Sequence, residues 1–270
     1  MDALLADYLA VGIDPARATI FAHSQVEELN QLFVPFLSLV SVAEMERNPT
    51  VKEELAASCQ PAMTDLMFTY PVHQAADILF CKGMAVPVGK DQLPHLELAR
   101  LIARRFNRRY SPDRPYFPEP DALLSHAPVL LGTDGRKMSK SRNNSIPLCA
   151  TPDETGRLIS RATTDSNRHI TYDPANRPEV SNLVLLAALC LDRQAASIAA
   201  EVGDGGSGAL KRIVTEAVNE YFREIRRRRA DLIQDRGYLR RVLVAGNGSA
   251  REIAADTLTE VRRLMHTTYV

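Results

Sequence analysis

Apolar positions recur along this chain mainly at helical spacing, and a few short apolar runs interrupt that rhythm in the first half. Leu4, Leu5, Tyr8 and Leu9 share one side of a predicted helix over Asp2 to Val11, which Gly12 stops and Asp14-Pro15 turns. Ala18 to His23 reads as a buried strand. Helical periodicity then runs from about Val26 to Val42, and a polar, helix-prone stretch from Ala43 to Gln60. A further helix is predicted across Tyr70–Phe80. Ala85 to Val88 reads as a short strand of parallel type, and Leu93, Leu96, Ala99, Ile102 and Phe106 mark the helix after it. Ser111 to Pro128 is proline-rich and predicted irregular, and Val129-Leu130-Leu131 reads as one more buried strand. Beyond Pro147 strand-like runs give way to helical patterns over Asp153–Ala162, Val180–Leu191, Gly208–Ile233 and Ala250–Thr267, with Gly203 to Gly208 as a flexible turn. The pattern therefore predicts an α/β domain over residues 1–150 and an all-helical domain over residues 151–270.

Composition changes this picture little. Hydrophobic residues make up 45% and charged residues 24% of the 270, ordinary values for a globular chain, so disorder is not expected. The longest apolar run, Leu183 to Leu191, is about half of what a bilayer span needs, so no membrane partner is expected. No signal peptide pattern is visible at Met1. Cys59, Cys81, Cys149 and Cys190 form no CxxC pair, so reduced thiols are expected and no metal site is assigned. Net charge is zero, so a nucleic-acid partner would have to meet local basic patches. Arg223 with Arg226 to Arg229 is the densest of these, and reads equally as an RNA-backbone contact or a solvated helix end. Arg104, Arg105, Arg108 and Arg109 read first as a solvated helix face favoured by the helix dipole, with a phosphate-backbone contact as the second reading.

Three stretches carry candidate chemistry. Gly132 to Ser141 places turn residues before Arg136, Lys137, Lys140 and Arg142, a density of cations on a loop that suits a polyphosphate, although a solvated basic turn has the same composition. On a helix, Tyr70, Gln74 and Asp77 share one face, as convergent polar groups do in pockets for amphipathic ligands; a helix start with capping residues would look similar. Gly89-Lys90-Asp91-Gln92 lies at the C-terminal end of a predicted strand, where open α/β sheets bind ligands, though Asp91 also suits an N-cap.

Taken in order, these stretches resemble the bacterial tryptophanyl-tRNA synthetases, a class I family. The likeness runs through Gly12-Ile-Asp-Pro15, Thr19-Ile-Phe21, the Tyr70–Asp77 helix, Val86-Pro-Val-Gly89 with Asp91-Gln92, the Lys137-Met-Ser-Lys-Ser141 signature, Thr164-Asp-Ser166 and Ser181-Asn-Leu183. The resemblance implies a Rossmann-type parallel sheet followed by a helical anticodon-binding domain. It implies L-tryptophan activation with ATP and Mg2+ bound through its phosphates, transfer to tRNA(Trp), a cytoplasmic setting and a homodimer. It places Tyr70, Gln74, Asp77, Val86, Val88 and Gln92 at tryptophan, with Asp77 accepting the indole N–H. It places Gly89, Asp91, Lys137, Met138, Ser139, Lys140 and Ser141 at ATP, with Lys137 and Lys140 stabilising the leaving pyrophosphate. Position 74 is methionine in many members and Gln74 here. The family's opening strands and its His-Ile-Gly-His type motif have no counterpart, since no H-x-G-H or H-x-G-N occurs among the six histidines. The sheet is therefore expected to be truncated. A non-catalytic paralogue that binds tRNA, tryptophan or a full-length synthetase is the alternative expectation, and a tyrosine–tRNA ligase the next.

Overall fold

The computed structural model describes residues 1–49, 64–125, 130–138 and 142–268. In chain order the helices are α1 (Asp2–Ala10), α2 (Glu28–Leu37), α3 (Val42–Glu46), α4 (Asp65–Leu79), α5 (Leu93–Tyr110), α6 (Pro152–Ser160), α7 (Pro178–Leu191), α8 (Ala195–Val202), α9 (Gly206–Gln234) and α10 (Arg236–Leu264). The strands are β1 (Ala85–Pro87) and β2 (Asp121–Leu123), which pair in parallel with Val86 opposite Ala122. A parallel pair needs a crossover, and α5 supplies it. This is an α/β arrangement with a small parallel sheet and a predominance of helix. No single helix among the described residues is long and apolar enough to cross a membrane.

By internal contacts the chain divides into two compact units that cut across the expected 150/151 boundary. One comprises Met1–Arg17 with Val129–Arg240, the other Ala18–Pro128 with Arg241–Val270. In the first, α9 packs against α7, α1 and α6, burying Leu210, Val214, Ala217 and Val218, which recur at helical spacing. Thr151 starts α6 with a reciprocal capping box to Glu154.

In the second unit α4 packs on both α2 and α5. Leu29, Leu32 and Phe36 give α2 one fully buried stripe, and Phe106 of α5 meets Phe117 edge-on with ring centroids 4.9 Å apart. Ala250, Ala254, Leu258 and Val261 of α10 join the same core. Thr64 caps α4 by accepting the Met67 N–H at 3.2 Å, which fixes where the helix carrying Tyr70, Gln74 and Asp77 begins.

Several sequence expectations are corrected here. Residues 19–22 form no strand: their backbone lies against α10, where a Cβ on Gly246 would come within 1.9 Å of the Ile20 carbonyl oxygen, and the Ala22 N–H donates to Asn247 Oδ1 at 2.9 Å. α10 begins at Arg236 rather than near Ala250, and Gly246 within it allows this close approach. The proline-rich connector is not irregular throughout, because Asp121–Leu123 after Pro120 becomes β2. The run at Leu130-Leu131 forms no strand ladder; Leu131 makes an isolated antiparallel bridge to Lys137, and Val129 lies outside the described residues. Within the Ala43–Gln60 stretch, Ala43 to Glu46 belongs to α3 and residue 49 is again helical; the part from residue 50 onward lies outside the described residues.

Candidate active site

In the Ala18–Pro128 unit, Tyr70, Gln74 and Asp77 occupy one side of α4, all half-buried. Two of them enter a continuous hydrogen-bond chain through His95, a residue that the sequence reading passed over. His95 lies on the first turn of α5 and is 1% exposed. Its Nδ1 is 2.8 Å from Gln74 Oε1 and its Nε2 is 3.1 Å from the Tyr70 hydroxyl. Gln74 Nε2 donates to Gln92 Oε1 at 3.3 Å, and Gln92 Nε2 donates to Asp91 Oδ2 at 3.1 Å.

The proton directions in this chain follow from its end. The Asp91 carboxylate only accepts, so Gln92 turns its NH2 toward it and its carbonyl toward Gln74. Gln74 therefore turns its own carbonyl toward His95. Nδ1 of His95 must then carry the proton, which in the neutral ring leaves Nε2 to accept from the Tyr70 hydroxyl. In that tautomer a buried imidazole orients a phenol and an amide on one side of α4. One position in the sequence hinted at this. Gln74 needs a partner for its carbonyl, and a histidine on the next helix is the right kind.

Gly89, Asp91 and Gln92 lie where expected, just beyond the C-terminal end of β1. The Asp91 carboxylate turns back over Gly89, where a Cβ would meet Oδ1 at 2.6 Å. Asp91 is not the N-cap of α5; Gln92 occupies that position without a side-chain cap bond. Val86 is half-buried and packs against the unit's core, and the Val88 N–H extends the β1–β2 pairing by donating to Leu123 O at 3.2 Å.

Asp77 stands apart from the relay. Its Oδ1 is 3.0 Å from His23 Nε2, and burial pushes its carboxyl above the usual carboxylate range against the opposing pull of His23 and His73.

The basic loop belongs to the other unit. Lys137 and Met138 are exposed, while Ser139, Lys140 and Ser141 lie outside the described residues. The loop's root is tied down by two asparagines. Asn182 on α7 accepts the Leu131 N–H at 2.8 Å and donates to the Leu131 carbonyl at 3.2 Å, so its amide takes the place of a neighbouring strand. Asn144 donates to Asp134 Oδ1 at 2.7 Å and to Lys137 O at 3.2 Å, and its carbonyl accepts the Thr133 N–H at 2.8 Å. Below the loop lies an apolar pocket of about 190 Å³, lined in part by Leu131, Met138, Ile146, Leu186 and Phe222. The Thr164-Asp-Ser166 stretch is held by Arg177, whose Nε and Nη2 meet the Asp165 carboxylate at 2.7 and 2.8 Å.

Most of the arginine cluster on α9 is engaged within the chain: Arg226 bonds Thr155 and Asn219, Arg227 pairs with Glu224 and Asp231, and Arg229 pairs with Asp7. On α5, Arg104 pairs with Glu97 and Glu119, and Arg105 with Glu44.

The profile of a family described as class I tRNA synthetases (W and Y) matches residues 1–223. The tryptophan–tRNA ligase of Clostridium longisporum is 38% identical over 270 residues, covering 97% of this chain and 79% of that one. The chain belongs to the tryptophan branch of the class I tRNA synthetases. A second relative of this synthetase chain, the tryptophan–tRNA ligase of Thermotoga maritima, is 38% identical over 267 residues, covering 97% and 80%. The tryptophanyl-tRNA synthetase of Campylobacter jejuni, solved with ADP and tryptophan, superposes with a TM-score of 0.77 at 31% identity, covering 98% of this chain and 82% of that one.

Proposed function

We propose that this chain is a tryptophan–tRNA ligase: it activates L-tryptophan with ATP to tryptophanyl-adenylate and transfers the aminoacyl group to tRNA(Trp). Family membership supports the reaction class, and the observation that carries the amino-acid site is the His95-centred relay, which presents Tyr70, Gln74 and Gln92 in fixed orientations beside Asp77.

In this reading Asp77 accepts the indole N–H. A half-buried carboxylate that an aromatic ring lacking that N–H leaves unsatisfied discriminates strongly against phenylalanine. Val86 and Val88 flank the indole. Tyr70, whose hydroxyl hydrogen points to His95, offers its oxygen as an acceptor to the substrate ammonium, and Gln92 lies next to it in the relay. Gly89 and Asp91 contact the nucleotide. The tryptophan carboxylate attacks the α-phosphate in line, and the bond to the pyrophosphate breaks. Lys137, Met138, Ser139, Lys140 and Ser141 form the loop that holds the phosphates, and the two lysines stabilise charge developing on the leaving group. Mg2+ arrives with ATP, bound through its phosphates. No side chain forms a covalent intermediate; positioning and charge neutralisation suffice.

The helices of residues 151–270 contact the anticodon part of tRNA(Trp). Family resemblance is the ground for a cytoplasmic homodimer. The test is charging: purified chain, ATP, Mg2+ and labelled tryptophan should acylate a tRNA(Trp) transcript and leave a tRNA(Tyr) transcript uncharged. Equal charging of both, or of neither, contradicts the reading.

A further inference from the structure

Three side chains of the Ala18–Pro128 unit meet from two separate segments of the chain. His23 opens a single helical turn, His23–Gln25, while His73 and Asp77 stand one turn apart on α4. Metal-ligating atoms of all three lie within 4.8 Å of one another. The His23 and His73 rings are 4.6 Å apart between centroids. His23 Nε2 and Asp77 Oδ1 approach to 3.0 Å without the alignment of a hydrogen bond, and both atoms are shielded from solvent with no hydrogen-bond partner among the described residues.

His73 is prepared differently. Its Nε2 lies 3.0 Å from Asn30 Oδ1. An amide oxygen only accepts, so Nε2 carries the proton and the lone pair is left on Nδ1. Outer residues commonly set a metal-binding histidine in this way, by holding the proton on the nitrogen that does not bind.

We propose that His23, His73 and Asp77 form a binding site for a divalent transition-metal ion of the zinc class, and that the bound ion and the tryptophan indole exclude each other at Asp77. The exclusion rests on the reading that Asp77 receives the indole. Two imidazole nitrogens and one carboxylate oxygen make a three-ligand set that leaves a fourth tetrahedral position open. Nitrogen as the majority donor favours zinc, cobalt, nickel or copper over magnesium or calcium, which take oxygen. Bonds of about 2.0–2.2 Å set neighbouring ligand atoms of a tetrahedral zinc roughly 3.3–3.6 Å apart. The 3.0 Å pair opens slightly to reach that spacing, and the widest pair, within 4.8 Å, closes by side-chain rotation.

The test titrates the full chain, stripped with a chelator and then desalted, with Zn2+ by calorimetry and with Co2+ by visible absorption. One saturable site and a tetrahedral Co2+ band are expected. Both should be lost in His23→Gln and in His73→Gln, and Asn30→Ala should weaken binding about 10–100-fold. Zn2+ should raise the apparent Kd for tryptophan by the factor by which tryptophan raises that for Zn2+. Should a variant fail to fold, the wild-type chain decides the point: Zn2+ should protect His23 and His73 from diethyl pyrocarbonate, read by peptide mass. Absence of saturable binding, binding unchanged in the folded variants, or metal binding that leaves tryptophan affinity untouched overturns the proposal. A chain that binds no tryptophan when metal-free, yet shows the Co2+ band once Co2+ is added, overturns the amino-acid reading instead and leaves the metal site standing.

Discussion

His95 Nδ1 donates to Gln74 Oε1 across 2.8 Å, so one buried imidazole on α5 dictates which way an amide on α4 faces. The same ring lies 3.1 Å from the Tyr70 hydroxyl, so the orientation of two side chains of α4 depends on a third from α5.

His95→Ala therefore leaves the Gln74 carbonyl and the Tyr70 hydroxyl without this partner. The expected result is a rise in the tryptophan Kd of about tenfold, equivalent to 1.4 kcal/mol, with a much smaller change in the affinity for ATP. Fluorescence or calorimetric titration of both ligands checks it. Equal weakening of both would mean the residue supports the fold alone.

Asp77→Ala should weaken tryptophan binding selectively and narrow the preference for tryptophan over phenylalanine. The acceptor that only an N–H satisfies is gone, while the apolar part of the pocket remains. Competition titrations with the two amino acids measure the ratio. An unchanged ratio would show that another group reads the indole.

Lys137→Ala should slow adenylate formation by roughly 100-fold, the scale seen when one charge-stabilising donor is removed, while tryptophan affinity stays nearly unchanged. Single-turnover kinetics together with equilibrium binding separates the two. Loss of tryptophan binding to the same extent would displace Lys137 from its assigned role.

Asn182→Ala removes both hydrogen bonds to the backbone of Leu131 at the loop root. A loss of about 1–3 kcal/mol in stability is expected, because a partly buried N–H and carbonyl are left unpaired. Thermal melts give the stability, and limited proteolysis should show faster cleavage between residues 130 and 144. A melt identical to wild type, with no change in cleavage, would contradict the clamp.

Glu44 accepts from Arg105, and from Ser41 in a capping box, which lowers its carboxyl from 4.5 to about 2. A depressed folded-state value means stability that is present above pH 4.5 and lost as pH falls toward 2. In Glu44→Gln the thermal midpoint should be lower than wild type at pH 7, and the difference should shrink on acidification through that window. A difference that grows with acid would reverse the assignment.

Residues with a local signal were legible in the sequence, and those with a distant partner were not. Tyr70, Gln74 and Asp77 share a helix face because helical spacing alone dictates it. Leu29, Leu32 and Phe36 were readable for the same reason. The signature loop was recognisable from Lys137 onward, but its anchor Asn182 lies 51 residues from Leu131. Gly246 has no readable role until Ile20 is placed against it, and the supposed strand at residues 19–22 fails for the same reason. The direction of the relay depends on His95, Gln74, Gln92 and Asp91 together, which no spacing rule joins.

The most direct test of the central claim is tryptophan-dependent exchange of pyrophosphate into ATP by the purified chain, with tyrosine as the control amino acid. The account predicts exchange with tryptophan at a rate set by Lys137 and little with tyrosine. A folded chain that catalyses no exchange with tryptophan, or exchanges equally well with tyrosine, would contradict it.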